Sequence, residues 1–378
     1  MIIGIVGKPN SGKSSFFKAA TMLDVKISSV PFTTIKPNVG VGYVTVDCVC
    51  REFGVVCEPR HGYCKNGKRF VPVKLIDVAG LVPGAHLGKG MGNKFLDDLR
   101  QASVLIHIVD VSGRTDAEGK TTSGHDPIND IKFLEEEIDL WFASVIERAI
   151  AKYKRRIEKA DKTDLVKILS ESLSGLEVSK AHVEQALKTG IDDVKKFATE
   201  LRKISKPIVI AANKIDLKTA QENFEKIEDA IPVSAEAEIA LKKAAESGVI
   251  DYTPGNGFRI KSEVNEAQMK ALEFLNQLIN RYGSTGVQDC LNNAVFKLLG
   301  YIAVYPVANL NKLSDKAGRV LPDVFLVPKG TTVKELAAKV HTELAEKFIC
   351  GIDARTKRRL AADYELKNGD IVQIMFEK

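Results

Sequence analysis

The stretch Gly7-Lys8-Pro9-Asn10-Ser11-Gly12-Lys13-Ser14 decides the fold of this 378-residue chain. It matches the pattern G-x-x-x-x-G-K-[ST], which forms a phosphate-binding loop when a strand precedes it and a helix follows it. Residues 1–6 form an apolar run that predicts a buried strand, and residues 15–22 predict the start of a helix. In such a loop, backbone N–H groups and the positive end of the helix dipole face a phosphate. The stretch therefore predicts an α/β fold with a mostly parallel, doubly wound sheet that binds a nucleoside triphosphate.

The side chains of this loop have separate expected roles. Lys13 would add a cation to the β- and γ-phosphate oxygens, which also makes it a catalytic candidate, and Ser14 would offer its hydroxyl to Mg²⁺. The candidate nucleotide contacts of the loop are Asn10, Ser11, Gly12, Lys13, Ser14 and Ser15.

A second motif, Asp77-Val78-Ala79-Gly80, follows the strand-like residues 72–76. A carboxylate at that strand end can hold the water shell of Mg²⁺, and a glycine lets its N–H approach the γ-phosphate closely. Asp77 is therefore a predicted metal ligand, and Gly80 is a predicted catalytic contact.

A third motif, Asn213-Lys214-Ile215-Asp216, follows the apolar residues 207–212. The carboxylate of Asp216 can accept from the ring N–H and the exocyclic amino group of guanine, a donor pair that adenine lacks. A site built for paired hydrogen bonds rejects an analogue that leaves it unpaired by roughly 1–3 kcal/mol per group. The stem of Lys214 can cover the base, and Ser234-Ala235 can add a backbone N–H to the guanine carbonyl. These residues, with Asn213, predict binding of GTP and GDP.

The order GxxxxGKS, DxxG, NKxD and SA resembles that of the translation-factor class of GTPases. Residues 31–38 (PFTTIKPN) resemble the switch I signature of the Obg family, and residues 80–96 (GLVPGAHLGKGMGNKFL) resemble switch II of its YchF branch. YchF proteins of bacteria and eukaryotes usually carry NxxE and tend to prefer ATP. Because this chain carries Asp216, it is similar to the archaeal, NKxD-bearing relatives, and the expectation of GTP rests on that residue.

The resemblance implies a GTPase with an altered switch II. In Ras-like enzymes a glutamine after DxxG orients the attacking water, and here that place holds Leu81. Thr34 is then the expected Mg²⁺ and catalytic contact of switch I, with Thr33 as the alternative. His86 is a candidate for polarising water, or a bystander. An asparagine at the place of Asn10 occurs in potassium-stimulated GTPases, so K⁺ is a candidate cofactor beside Mg²⁺.

The chain is expected to be modular. Residues 1–129 and 206–285 are predicted to form the GTPase domain, and residues 130–205 a helical insert, because apolar residues recur there at helical spacing. Residues 300–378 resemble a TGS domain, a β-grasp module, on the strength of PKGTTV (328–333) and LKNGDIVQI (366–374).

Composition limits the cellular setting. No run of about eighteen apolar residues exists, so no membrane-spanning segment is expected. The chain begins directly with a predicted strand, which leaves no room for a signal peptide. We therefore expect a cytoplasmic monomer that does not bind membranes. The net charge of +6 is compatible with RNA or ribosome binding without requiring it.

Two basic stretches are candidates for such binding. Residues 153–159 lie in the helical insert, and residues 355–359 lie in the TGS-like segment. TGS domains of translation-linked proteins are associated with RNA or ribosomes, so the resemblance implies a ribosomal or RNA partner. The alternative for both stretches is a solvated surface.

Cys48, Cys50, Cys57 and Cys64 cluster along the chain, with His61 between them. Three interpretations stay open: a small zinc site, a disulfide across a hairpin such as Cys57–Cys64, and free thiols in a sheet. Disulfides are rare in the cytosol outside hyperthermophiles.

Together these features predict a GTP-hydrolysing molecular switch associated with ribosomes. The alternatives are an ATP-hydrolysing YchF-like enzyme and a nucleotide-dependent scaffold with negligible turnover.

Overall fold

The computed structural model describes residues 1–22, 38–78, 92–157 and 160–377, without the side chains of residues 92–94. Five residues with predicted roles in switch I and switch II lie outside these ranges: Thr33, Thr34, Gly80, Leu81 and His86.

The described residues form two sets of regular elements, numbered here in chain order. The strands are β1 (Ile2–Val6), β2 (Val39–Asp47), β3 (Tyr63–Lys65), β4 (Lys68–Asp77), β5 (Val104–Asp110), β6 (Ile208–Asn213), β7 (Ile231–Val233), β8 (Ile250–Tyr252), β9 (Phe258–Ile260), β10 (Tyr301–Val307), β11 (Phe325–Pro328), β12 (Phe348–Asp353), β13 (Arg359–Leu360) and β14 (Ile371–Phe376). The helices are α1 (Lys13–Thr21), α2 (Gly92–Gln101), α3 (Pro127–Ile157), α4 (Lys162–Ser172), α5 (Lys180–Ala186), α6 (Val194–Ser205), α7 (Ala220–Phe224), α8 (Ala235–Glu246), α9 (Glu266–Tyr282), α10 (Val287–Asn292), α11 (Val333–Val340) and α12 (Thr342–Glu346).

The large sheet has the strand order β2-β4-β1-β5-β6-β7, with β3 antiparallel to β4. The pairs β1–β4, β1–β5, β5–β6 and β6–β7 are parallel. This confirms the predicted P-loop GTPase fold. Because parallel strands end at the same edge, the carboxyl ends of β1, β4 and β6 bring the three predicted motifs together.

Helices α3 to α6 form the helical segment predicted between the sheet strands. The predicted apolar stripe of α3 is buried: Ile138, Phe142 and Ile146 are fully inaccessible to solvent. They pack in one core with residues of α4, α5 and α6. Helix α3 has non-helical backbone angles at Tyr153, inside the predicted basic stretch.

The C-terminal sheet has the order β11-β10-β14-β12-β13. Thr332 caps α11, because its hydroxyl accepts from the N–H of Glu335 while the Glu335 carboxylate accepts from the N–H of Thr332. The sequence after PKGTTV predicts one helix over residues 334–347, and this prediction is wrong. His341 adopts an extended conformation and its ring caps α12, so the chain makes two short helices instead.

The chain divides into two compact units. The first contains the described residues of 1–24, 35–42 and 73–290, and the second contains those of 43–72 and 291–377. The expected boundaries had placed residues 43–72 in the GTPase domain. In the second unit, Val49 and Cys50 instead share an apolar core with Tyr305 and Ile371, which lie far away in the sequence.

None of the described helices combines the length and the hydropathy that a bilayer crossing requires.

Candidate nucleotide site

The phosphate loop connects β1 to α1 and leaves the amino end of the helix open. Gly12 is the N-cap of α1 and supplies no side chain to cap it. The N–H of Phe16 donates to the Gly12 carbonyl, whereas no acceptor among the described residues takes the N–H groups of residues 13–15. Unsatisfied donors at a helix amino end, with the helix dipole behind them, form an anion site.

Two predicted functional side chains meet beside this loop. Lys13 Nζ donates to Asp77 Oδ1 at 2.7 Å, which joins the predicted phosphate cation to the predicted metal ligand. Both side chains are partly accessible. Ser14 is exposed, with no hydrogen-bond partner among the residues described.

Asn213 connects the phosphate loop to the loop that follows β7. Its side-chain amide donates to the Ser11 carbonyl at 2.9 Å, and its carbonyl oxygen accepts from the N–H of Ala235 at 3.2 Å. Asn213 is almost completely buried. A Cβ on Gly12 would lie 2.1 Å from Asn213 Nδ2, so this contact requires glycine at position 12. Asn213 thus acts as a clamp between two loops, a positioning role that its motif alone did not indicate.

The serine-alanine pair after β7 is engaged within the protein. The hydroxyl of Ser234 accepts from the N–H of Ala237 and caps α8, and Ser234 is buried. The N–H of Ala235, predicted to reach the guanine carbonyl oxygen, donates to Asn213 in this structure.

Lys214 is anchored at its charged end. Its Nζ lies 2.7 Å from Asp110 Oδ2 and donates to the Asn10 carbonyl at 2.9 Å. Asp110 is fully buried at the end of β5 and also accepts from Ser112 and Thr115. Burial raises the pKa of Asp110, but the hydrogen bonds from Lys214, Ser112 and Thr115 outweigh it and leave the pKa below its ordinary value. Sequence reasoning assigned no role to Asp110; the only signal was a carboxylate directly after an apolar strand.

Asp216 is the unpaired acid of the site. It is half-buried, and among the described residues no hydrogen bond or ion pair engages its carboxylate. Two backbone hydrogen bonds hold the turn that contains Asp216. The N–H of Ile215 donates to the Val233 carbonyl, and the N–H of Leu217 donates to the Lys214 carbonyl. The carboxylate is therefore available to accept from two donors of a ligand.

Residues 111–126 contact the phosphate loop through backbone carbonyls. Lys8 Nζ donates to the Thr115 carbonyl at 2.7 Å and lies 2.8 Å from Asp130 Oδ2. Asn10 donates from its side-chain amide to the Gly119 carbonyl at 2.9 Å, and its Oδ1 accepts no hydrogen bond from the described residues. Sequence patterns did not reveal this support, because residues 111–126 lack periodic apolar positions.

Three family models match consecutive parts of the chain. A model described as 50S ribosome-binding GTPase matches residues 2–142. A model of the G4 motif-containing domain of Obg-like GTPase YGR210-like matches residues 211–309, and the TGS domain matches residues 317–376.

The chain is also similar to relatives over its whole length. The chain is 50% identical to the uncharacterized GTP-binding protein MJ1332 of Methanocaldococcus jannaschii, over 99% of this chain and 98% of the relative. It is 27% identical to the ribosome-binding ATPase YchF of Bacillus subtilis, over 99% and 98%. The crystal structure of a GTP binding protein from Pyrococcus horikoshii OT3 aligns over 100% of both chains, with 40% identity and a TM-score of 0.79.

Proposed function

Since this chain belongs to the Obg-like, YchF-related family of P-loop GTP-binding proteins, we propose that it hydrolyses GTP to GDP and phosphate as a molecular switch. The observation that carries the proposal is the unpaired carboxylate of Asp216, presented at the same sheet edge as the open amino end of α1. A carboxylate there pairs with the two N–H donors of guanine and repels the acceptor that adenine offers.

The proposed phosphate contacts are the N–H groups of residues 13–15, with Lys13 as the cation. Lys13 is held by Asp77, so phosphate oxygens would replace a carboxylate oxygen as its partner. Asn213 positions Ser11, and with it the loop, for this contact.

The residues present fit a magnesium ion. The Ser14 hydroxyl is exposed and has no partner in the described ranges, and Asp77 is a partly accessible carboxylate. Both are oxygen donors of the kind that Mg²⁺ prefers. Thr34, or alternatively Thr33, would complete the set. Bound Mg²⁺ would neutralise phosphate charge during hydrolysis. Asn10 would offer Oδ1 to K⁺, because this oxygen carries the lone pairs of the side-chain amide, while Nδ2 donates to the Gly119 carbonyl.

The proposal names Gly80 as the N–H that approaches the γ-phosphate and His86 as the group that polarises water. Both assignments come from the sequence motifs and the resemblance.

A ribosomal partner is part of the proposal. The Bacillus subtilis relative carries a ribosome-binding name, and the model that matches residues 2–142 describes 50S ribosome-binding GTPases. Within the basic stretch 355–359, Arg355 forms two hydrogen bonds with Glu52, and Lys357 donates to the Leu310 carbonyl. The exposed Arg358 and Arg359 have no side-chain partner among the described residues, so they are the cations available to RNA phosphates. A cytoplasmic location follows from this partner.

A competition titration tests the base assignment. Labelled GDP is displaced by unlabelled GTP or ATP from the wild-type protein, from Asp216→Asn and from Asp192→Asn, an exposed control outside the site. We expect guanine nucleotides to bind at least about tenfold tighter than adenine nucleotides, as the loss of one paired group predicts. Asp216→Asn should remove the preference and Asp192→Asn should retain it. Equal displacement of labelled GDP by ATP from the wild-type protein would favour the ATPase alternative.

Turnover needs its own measurement. Phosphate release from GTP in a single turnover, with and without ribosomes, separates a hydrolysing switch from a scaffold. Release that ribosomes accelerate supports the switch, whereas no release under either condition supports the scaffold.

A further inference from the structure

Four cysteine sulfur atoms meet in the second unit. Cys48 precedes a short 3-10 helix (Val49–Arg51) that contains Cys50, Cys57 lies in the following loop, and Cys64 lies in β3. All four Sγ atoms lie within 4.8 Å of one another. The Sγ atoms of Cys48 and Cys57 are 3.8 Å apart, and those of Cys50 and Cys64 are 4.0 Å apart.

We propose that these four cysteines bind one zinc ion as thiolates, in a tetrahedral structural site. Four sulfur atoms bound to zinc at about 2.3 Å would lie roughly 3.8 Å from one another, close to the separations of the Cys48–Cys57 and Cys50–Cys64 pairs. The site needs no histidine, and His61 does not belong to the cluster. The donor set is closed to substrates because four protein ligands fill the tetrahedron.

The arrangement favours a metal over the other two interpretations. All four cysteines are free thiols in the structure, and the Cys57–Cys64 disulfide is absent. Two disulfides would bring the sulfur atoms together in two pairs. They would not explain why all four sulfur atoms lie within 4.8 Å of one another. Nor do the thiols simply lie in a sheet, since Cys48, Cys50 and Cys57 lie outside strands.

The buried cation Arg69 is independent evidence that the four-cysteine cluster carries negative charge. Arg69 is directly opposite Cys64 in the β3–β4 ladder, so the two side chains lie on the same face of the sheet. Its side chain is 1% exposed. Its two terminal nitrogens donate to the carbonyls of Leu321 and Pro322, and no described residue accepts from its Nε. Among the described residues, no carboxylate pairs with it.

A guanidinium cannot be deprotonated in a protein, and a buried charge without a counter-charge is costly. Zinc bound by four thiolates carries a net charge of −2, which would neutralise Arg69. The buried hydroxyl of Tyr305 also has no hydrogen-bond partner within the described part of the chain, and Tyr305 packs in the same cluster as Cys48 and Cys50. A metal bound by thiolates requires hydrogen-bond donors nearby, because hydrogen bonds to the sulfur atoms offset their negative charge. The Nε of Arg69 and the hydroxyl of Tyr305 are two such donors.

The site would hold an irregular segment in place. Residues 52–62 contain neither a strand nor a helix, so few repeated backbone bonds stabilise them. The N–H groups of Glu58 and Arg60 donate to the carbonyls of Val320 and Pro322 in the same unit. A metal that joins Cys57 to Cys48, Cys50 and Cys64 would therefore fix this segment against the C-terminal residues.

The first test is the metal content of the full-length protein, purified under reducing conditions without added metal. Elemental mass spectrometry of the purified protein should find about one zinc ion per chain, as a four-thiolate site predicts. The double variant Cys48→Ser/Cys64→Ser should lose the zinc. Cys350→Ser, which removes a thiol outside the cluster, should retain it.

A second test uses the unaltered chain, because the double variant could lose zinc by unfolding. Cobalt(II) added to metal-stripped wild-type protein should produce the visible absorption bands of tetrahedral cobalt thiolate, and zinc should abolish them. The proposal is overturned if reduced wild-type protein takes up neither metal, if iron fills the site stoichiometrically instead, or if alkylation under native conditions finds these cysteines in disulfides.

Discussion

The two units of the molecule bury cations in different ways. In the first unit, Lys8 lies against Asp130 and Arg202 donates to Asp139, so each of these two buried cations has a carboxylate beside it. In the second unit, Arg69 is equally buried, but its described hydrogen-bond partners are two backbone carbonyls. The first unit neutralises these charges with its own side chains, whereas the second leaves a positive charge for which we infer a zinc-thiolate counter-charge.

Lys206 shows why the residue type matters. It is fully buried in the first unit, and its ammonium donates to the carbonyls of Arg100 and Ala102. Burial lowers the pKa of Lys206 to about 8, so this lysine can lose its proton and avoid the cost of an uncompensated charge. Arg69 cannot lose its proton in this way, because a guanidinium stays charged in a protein. The comparison teaches that a buried arginine without a carboxylate is stronger evidence for a missing anion than a buried lysine is.

The largest expected effect follows from removing the counter-charge of Lys8. Asp130→Asn keeps the shape of the side chain but leaves a buried ammonium unpaired, which should lower the free energy of unfolding by about 3–5 kcal/mol. Denaturant unfolding measures it. The exposed pair Lys270–Glu266 supplies the control, since Glu266→Gln should cost at most about 0.5 kcal/mol. Equal losses in the two variants would show that Asp130 does not neutralise a buried charge.

Lys206 predicts a pH dependence. Below pH about 8, both the folded and the unfolded chain hold the proton of Lys206. Above that pH, the folded chain releases it while the unfolded chain keeps it up to about pH 10.4, so this residue makes stability rise with pH. Between pH 8 and pH 10, wild-type protein should gain about 2 kcal/mol relative to Lys206→Met. Parallel curves for the two proteins across this range would contradict the lowered pKa.

The smallest effect concerns Arg69 and zinc. If the zinc-thiolate group is the counter-charge, Arg69→Met should destabilise zinc-loaded protein more than metal-stripped protein, with a difference of about 1 kcal/mol. The difference is obtained from the free energies of unfolding of wild-type protein and Arg69→Met, each with and without zinc. The loss of packing that the substitution causes is common to both metal states, so it cancels. A coupling free energy of zero would show that Arg69 does not interact with the metal, and it would remove the main electrostatic argument for the site.

The nucleotide site was predictable in its parts because each part depends on local chemistry. A strand, a glycine loop and a helix place the open N–H groups of residues 13–15, and the ends of β4 and β6 place Asp77 and Asp216. Parallel strands share an edge, so motifs far apart in sequence meet without further information. The bridging role of Asn213 and the support of Lys8 by Thr115 and Asp130 were not predictable, since these contacts depend on which loops pack together.

The sequence by itself determined the P-loop fold, the helical segment and the C-terminal β-grasp module, because periodic apolar residues and turn residues act locally and repeatedly. Only the tertiary structure decided that residues 43–72 pack with residues 291–377, and that four cysteines with unremarkable spacing bring their sulfur atoms within 4.8 Å of one another. It also decided that Arg69 is buried beside them. Burial and charge balance arise between residues from distant parts of the chain, and no local pattern records them.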